Sequence, residues 1–290
     1  MAYTQLNPHC TPSARVEEIS RDSAHYRLTI PVGKADAYRV AQLDDYAQIT
    51  RGRFPHRFDL SLSLSARTSS DSIPGTWGFG LWNDPFGLSI GYGSRPFRLP
   101  ALPNAVWFFG ASEENYLSFR AERNEMETKR GVADSGLDTP SATRPAVNGF
   151  LAQTFRSPRF HPLLVLAGLA LPFSRKTTRR LMSRVIKEDG VQLWNQGTRS
   201  RHNASKLAES KGIDPTQWHR YRLRWSQARV LWEVDEVRVF ESAVSPNPPL
   251  GLVVWIDNQY AAFTPEGKIG FGVLENPEPA WLEIKDLEIK

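Results

Sequence analysis

The run Trp255-Ile256-Asp257-Asn258-Gln259-Tyr260 places three polar side chains and a tyrosine at the end of an apolar stretch. Two chemistries fit it. As a binding rim, Asp257 and Asn258 would hydrogen-bond ligand hydroxyls while Trp255 or Tyr260 stacks on a ring. As a turn, the Asp and Asn side chains would bond their own backbone. An Asp/Asn pair supplies too few oxygens for calcium, so no metal is expected there. A second candidate is Trp82-Asn83-Asp84, an indole followed by an amide and a carboxylate. The six histidines are scattered with no H-E-x-x-H spacing, which disfavours zinc. Glycine-rich phosphate loops are absent from the sequence, so no nucleotide cofactor is expected.

The elements that would carry these residues are strands. Residues 57–66 alternate strictly, with Phe58, Leu60, Leu62 and Leu64 on one face and Asp59, Ser61, Ser63 and Ser65 on the other. In 76–82, Trp77, Phe79 and Leu81 share the face expected to be core; Gly78, Gly80 and Trp82 share the other. Strands are expected at 25–32, 104–109, 115–119 and 149–155, with 104–109 and 115–119 as two arms of a hairpin. From Trp218 onward the pattern is dense: 218–225, 230–235, 237–241, 250–256, 268–274 and 281–289 all read as strands. Many short strands at such spacing indicate a sandwich or barrel. Residues 1–24 read as an irregular arm.

The segment Trp218-His219-Arg220-Tyr221-Arg222-Leu223-Arg224-Trp225, followed by Leu231-Trp232-Glu233-Val234-Asp235, resembles family-sixteen glycoside hydrolases and their concanavalin A-like relatives. There a W-H-x-Y-x-x-x-W strand leads into a W-x-V-D strand. Gly78–Trp82 is similar to the G-x-W strand that precedes the family's catalytic strand. The resemblance implies an all-β, concanavalin A-like jelly-roll sandwich of two antiparallel sheets. It also implies an E-x-D-x-x-E strand between Trp77 and Phe119, with its acids on one concave face, and this sequence has none. Glu113 and Glu114 are adjacent, so they point apart, and Glu233 and Asp235 lie on the W-x-V-D strand. The site of a retaining glucanase, two carboxylates roughly 5–5.5 Å apart, is therefore not expected.

Residues 160–212 interrupt the β pattern and read as a helical or irregular insertion in one sandwich spanning 1–290. The apolar run 163–171 is bracketed by Pro162 and Pro172, and at nine residues it is short of the roughly 20 that span a bilayer. Beyond it Arg175, Lys176, Arg179, Arg180, Arg184 and Lys187 form a basic cluster on an expected amphipathic helix. This hairpin, 160–187, would act either as a lid on the sandwich or as an anchor to an anionic membrane surface. Net charge is +5 and concentrated here, which points to an anionic surface rather than nucleic acid. One cysteine, Cys10, and an N-terminus without basic and apolar regions suggest a cytoplasmic, membrane-associated protein. The function expected is binding of a glycan or glycolipid. Two alternatives are an enzyme with a rearranged site, acting on a glycan or an apolar small molecule, and a peripheral membrane protein anchored by the hairpin.

Overall fold

The computed structural model describes residues 6–85, 101–116, 148–158, 185–194, 213–263 and 269–290. Two seven-stranded antiparallel sheets pack face to face. The first contains β1 (Asn7–Cys10), β4 (Val40–Asp44), β13 (Gly251–Asp257), β6 (Thr76–Trp82), β7 (Ala105–Ala111), β8 (Gly149–Arg156) and β9 (Lys187–Trp194), in that spatial order. The second runs β12 (Val237–Ser242), β11 (Val230–Val234), β10 (His219–Trp225), β5 (Leu60–Thr68), β16 (Ala280–Ile289), β3 (His25–Ile30) and β2 (Arg15–Ser20). A separate hairpin joins β14 (Gln259–Phe263) to β15 (Ile269–Val273). Both large sheets draw strands from before 159 and from after 212.

Alternation builds the core between the sheets. Leu60, Leu62 and Leu64 of β5 and Trp77, Phe79 and Leu81 of β6 meet there, with Tyr221, Leu223 and Trp225 of β10. Tyr221 packs edge-on to Phe108 at 4.9 Å and tilted to Phe79 at 5.1 Å. β10 and β11 are adjacent antiparallel strands in register Leu223 to Trp232, as the W-H-x-Y-x-x-x-W and W-x-V-D segments suggested. Asp235 and Glu236, both at positive φ, make the tight connection to β12. The Asp235 carboxylate accepts from the Arg220 N–H and bonds the His219 ring.

Three expectations need correction. Residues 7–10 and 15–20 are edge strands rather than part of an irregular arm. Segment 115–119 is not the second arm of a hairpin: β7 pairs with β6 and β8, and Asn115 is a buried residue that ties a turn to the Gly75 carbonyl. The helical hairpin over 160–187 is not found among the described residues. Lys187, taken as helical, instead opens β9, which pairs with β8 from Arg156–Lys187 onward. Residues 159–184, with Arg175, Lys176, Arg179, Arg180 and Arg184, lie outside the described residues, as does 195–212. No described helix is long and apolar enough to cross a membrane.

Candidate functional site

The first sheet carries a second apolar cluster on its outward face, away from the sandwich core. Pairing registers place its residues in cross-strand rows. One row is Gln42, Trp255, Gly78, Phe109, Leu151 and Gln192; the next is Asp44, Val253, Gly80, Trp107, Gln153 and Gly190. A third holds Gly251, Trp82, Ala105, Phe155 and Glu188. Strand β6 thus presents glycine between two strands that present tryptophan. A Cβ at Gly78 would come within 2.8 Å of the Trp255 indole, and one at Gly80 would fall on the Val106 carbonyl and 2.6 Å from Trp107 Cα. The missing side chains let both indoles lie down on the sheet. Trp82 and Trp255 are parallel within 3°, their rings 6.3 Å apart. Trp107 stacks on Phe109 at 5.6 Å.

Each indole N–H of this floor is anchored. Trp82 Nε1 donates to the Tyr46 hydroxyl at 2.6 Å, Trp107 Nε1 to Gln153 Oε1 at 3.3 Å, and Trp255 Nε1 to Thr76 Oγ1 at 2.9 Å. The anchors are themselves held. Gln42 Nε2 donates to both Tyr46 and Asp44, and Gln153 Nε2 to Glu188. Orientation is therefore set by bonds to neighbouring strands, which is what a binding surface needs to be preorganised. Trp107 and Trp255 are 4% and 9% exposed; Trp82 is half-buried and marks the accessible end.

A cavity of about 240 Å³ is lined by Asn83, the residue after Trp82, with Arg51, Gly52, Leu102, Asn104, Asn247 and Pro248 among others. Leu102 belongs to both the cavity and the aromatic cluster. The Asn83 amide is buried; it donates to the Leu102 carbonyl and accepts from the Asn104 N–H. Asn104 accepts from the Asn247 N–H at 2.8 Å and donates to Ser157. Arg51 donates to the Asn83 and Asp84 carbonyls, both at 2.6 Å. Asp84 thus takes part through its backbone, at φ 48°, in shaping the loop rather than as a carboxylate shown facing the cavity.

Of the residues singled out in the sequence, Trp82, Asn83 and Trp255 belong to this region. Asp257 and Asn258 do not form an open rim. Asn258 is 0% exposed: its amide accepts from the Arg39 N–H and donates to the Ala37 and Leu274 carbonyls. Asp257 is 7% exposed, with Oδ1 accepting from the Thr76 hydroxyl and N–H and from the Gln259 N–H, and Oδ2 from the Tyr38 hydroxyl. The pair locks the β13 exit to residues 37–39, Thr76 and Leu274, and the one local backbone bond of the kind a turn would use is that from the Gln259 N–H to Asp257. Tyr260 lies over Gly272 in the β14–β15 hairpin. Residues missed in the sequence are Trp107, Tyr46 and Gln153. The signal for Trp107 was present in AVWFFGA, apolar on both faces, as a strand covered on both sides must be.

Burial pushes the Asp257 carboxyl up from 3.8 to about 6, against the lowering effect of its hydrogen bonds. The same carboxylate and burial hold the Tyr38 phenol well above its usual value, so it stays a donor. Between these two values for Asp257 the folded chain binds a proton that the unfolded chain releases. Stability from this group is therefore greatest at low pH and is lost as pH rises through about 6, by on the order of 3 kcal/mol. Asp257→Asn keeps the Oδ1 acceptor and removes the charge. The difference in unfolding free energy between wild type and variant, measured from pH 4 to 7.5, is expected to shift in the variant's favour as pH rises. A constant difference would show that the carboxyl does not titrate in this range.

The strand following Gly78–Trp82, where the family-sixteen resemblance calls for acids, is β7, and its outward residues are Ala105, Trp107 and Phe109. Outward carboxylates elsewhere on the described sheet are far apart. Asp44 and Glu188 are five strand spacings apart, roughly 24 Å along the sheet, and Asp44 and Asp257 four register positions, roughly 13 Å. Glu113 and Glu114 sit exposed on a turn. Among the described residues no group of three or more His, Cys, Asp or Glu side chains is placed to hold a metal ion.

No family model and no curated protein matches the sequence. Among solved structures the chain is similar to an endo-β-1,4-glucuronan lyase from the fungus Trichoderma reesei, with 8% identity, 98% of this chain and 89% of that one covered, and a TM-score of 0.49. It is similar also to a family-sixteen endo-glucanase from Bacteroides ovatus, at 9% identity, 100% and 95% coverage and a TM-score of 0.46. The laminarinase catalytic domain from Thermotoga maritima is similar at 10% identity, 96% and 79% coverage and a TM-score of 0.40.

Proposed function

We propose that the chain is a carbohydrate-binding sandwich that does not hydrolyse its ligand by a paired-carboxylate mechanism. The observation that carries this reading is Trp82: a half-buried indole, parallel to Trp255 and fixed by Tyr46, next in the chain to Asn83 of a cavity lined by amides. An apolar ring face matches the C–H face of a pyranose. The amides of Asn83 and Asn104 are buried and bonded within the protein, so they shape the cavity wall, and the half-buried amide of Asn247 is the one left to meet ligand hydroxyls. Their bonds to backbone hold them in place before a ligand arrives, so little ordering cost remains on binding. The lining has no carboxylate and its guanidinium, Arg51, is bonded to the Asn83 and Asp84 carbonyls, which supports a neutral saccharide as the ligand.

Calorimetry with neutral β-1,3- and β-1,4-gluco-oligosaccharides tests it. At least one is expected to bind, and Trp82→Ala to weaken that binding by about tenfold, the scale of one lost aromatic contact. Reducing ends should not accumulate on prolonged incubation. Binding of no oligosaccharide, an unchanged affinity in Trp82→Ala, or steady release of reducing sugar would each sink the reading.

A further inference from the structure

The aromatic floor of the first sheet is tied at one end to a buried carboxyl. Asp257 and Trp255 are two residues apart on β13, so they share the outward face, and Thr76 stands directly opposite Asp257 in the β13–β6 register. The Thr76 hydroxyl joins the two. It accepts from Trp255 Nε1 at 2.9 Å and donates to Asp257 Oδ1 at 2.8 Å. A hydroxyl has one hydrogen, and here it is committed to the carboxyl while the indole N–H points at its oxygen. The chain from indole to hydroxyl to carboxyl therefore runs in one direction. Its first member, Trp255, lies parallel to Trp82, the half-buried indole beside the cavity.

Asp257 has no counter-ion. Its cross-strand neighbours are Val40 on β4 and Thr76 on β6, with Ala111 of β7 beyond. Tyr38, whose hydroxyl donates to Oδ2 at 3.1 Å, is the one titratable side chain bonded to it. The Arg39 guanidinium is turned to the Lys34 and Ala37 carbonyls and to Asp36, and β14 supplies the Gln259 N–H. Oδ1 takes three donors and Oδ2 one. A proton therefore settles on Oδ2, where the Tyr38 hydroxyl turns to accept it, and Oδ1 becomes a neutral carbonyl oxygen. A neutral oxygen draws the Thr76 hydrogen less strongly than a carboxylate does. Hydrogen bonds in series polarise one another, so the Trp255 anchor weakens with it.

We propose that Thr76 and Asp257 are positioning residues of the saccharide site, and that protonation of Asp257 sets how firmly Trp255, and with it Trp82, is held for a ligand. This rests on the reading of Trp82 as the contact with the sugar. Ionised Asp257 tightens the chain, so affinity rises with pH as the carboxyl loses its proton, near pH 6. The same ionisation lowers folding stability. Stability and affinity thus move in opposite directions across one titration, which a carboxyl with a structural role alone would not produce.

Two measurements on the full chain test it. The first is the near-ultraviolet dichroism of tryptophan without ligand, from pH 4.5 to 7.5. The wild type should show a step near pH 6 that is absent from Asp257→Asn and from Thr76→Val, and present in Thr76→Ser, which keeps the hydroxyl. The second is calorimetry with neutral β-1,3- and β-1,4-gluco-oligosaccharides over the same range. Wild-type affinity should rise by about threefold or more, the scale of exchanging a neutral for a charged acceptor in such a chain. It should stay flat in Thr76→Val and regain its slope in Thr76→Ser, a comparison that stands even where Asp257→Asn fails to fold. No step in the free wild type, a step unchanged in Thr76→Val, or an affinity independent of pH would overturn the coupling and leave the saccharide reading standing. Binding of no oligosaccharide at any pH would overturn both.

Discussion

Trp232→Ala is expected to cost about 3–5 kcal/mol of unfolding free energy, the range for deleting a buried large aromatic. Trp232 is 0% exposed, sits opposite Leu223 in the β10–β11 pair, and packs on Phe240 at 5.0 Å. Its indole crosses the sandwich, and Nε1 donates to the Trp107 carbonyl at 3.1 Å. The substitution therefore removes apolar burial, leaves a cavity between the sheets and deletes a buried bond to the strand that carries the aromatic floor. Trp232→Phe keeps most of the packing and loses the bond, so about 1–2 kcal/mol is expected for it. Urea unfolding of the three proteins, with slopes compared to check that the unfolded states match, gives both numbers. An alanine variant within 1 kcal/mol of wild type would mean that this indole does not tie the sheets together.

Trp232 was legible because its strand is. The segments around it alternate without interruption, and turn residues bracket them, so the strands over 218–241 emerge from local pattern alone. The same holds for β5 and for the two faces of β6: Trp77, Phe79 and Leu81 do enter the core, and Gly78 and Gly80 do permit close approach, though of indoles from β7 and β13. Edge strands were not legible. β2 is RVEEIS and β9 is KEDGVQLW, each with charges where a central strand has apolar residues. Charged edges discourage sheet-to-sheet association, and the same charges mask the strand. Asp257 and Asn258 were ambiguous for a different reason. Whether a polar pair ends a strand as an open rim or as a buried lock depends on Tyr38, Arg39 and Thr76, which are some 180 to 220 residues away. No local pattern encodes partners at that distance.

Gly80→Val is expected to be the most damaging single change on the outward face, costing more than about 3 kcal/mol and leaving little folded protein. A side chain there meets backbone, the Val106 carbonyl and Trp107 Cα at 2.6 Å, and a strand cannot yield as a rotamer can. Gly190 lies in the same cross-strand row but on the edge strand β9, where a Cβ would meet the Ala152 carbonyl at 3.0 Å and the Gln153 side chain at 3.2 Å. Gly190→Ala is therefore expected to cost about 1 kcal/mol or less, with a shift of a few tenths of an ångström absorbed by the edge strand, which is paired on one side. The milder Gly80→Ala connects this packing to binding. It should push β7 away from β6 and lift Trp107 off the sheet. The Trp82 and Trp255 rings packed against it would then lose their common plane. The expected result is a protein that remains largely folded by far-ultraviolet dichroism, with a changed tryptophan near-ultraviolet signal and weakened saccharide binding. If Gly80→Ala matches Gly190→Ala in stability and binds as wild type, then the glycine is not what lays the aromatic floor flat, and Trp82 owes its orientation to Tyr46 alone.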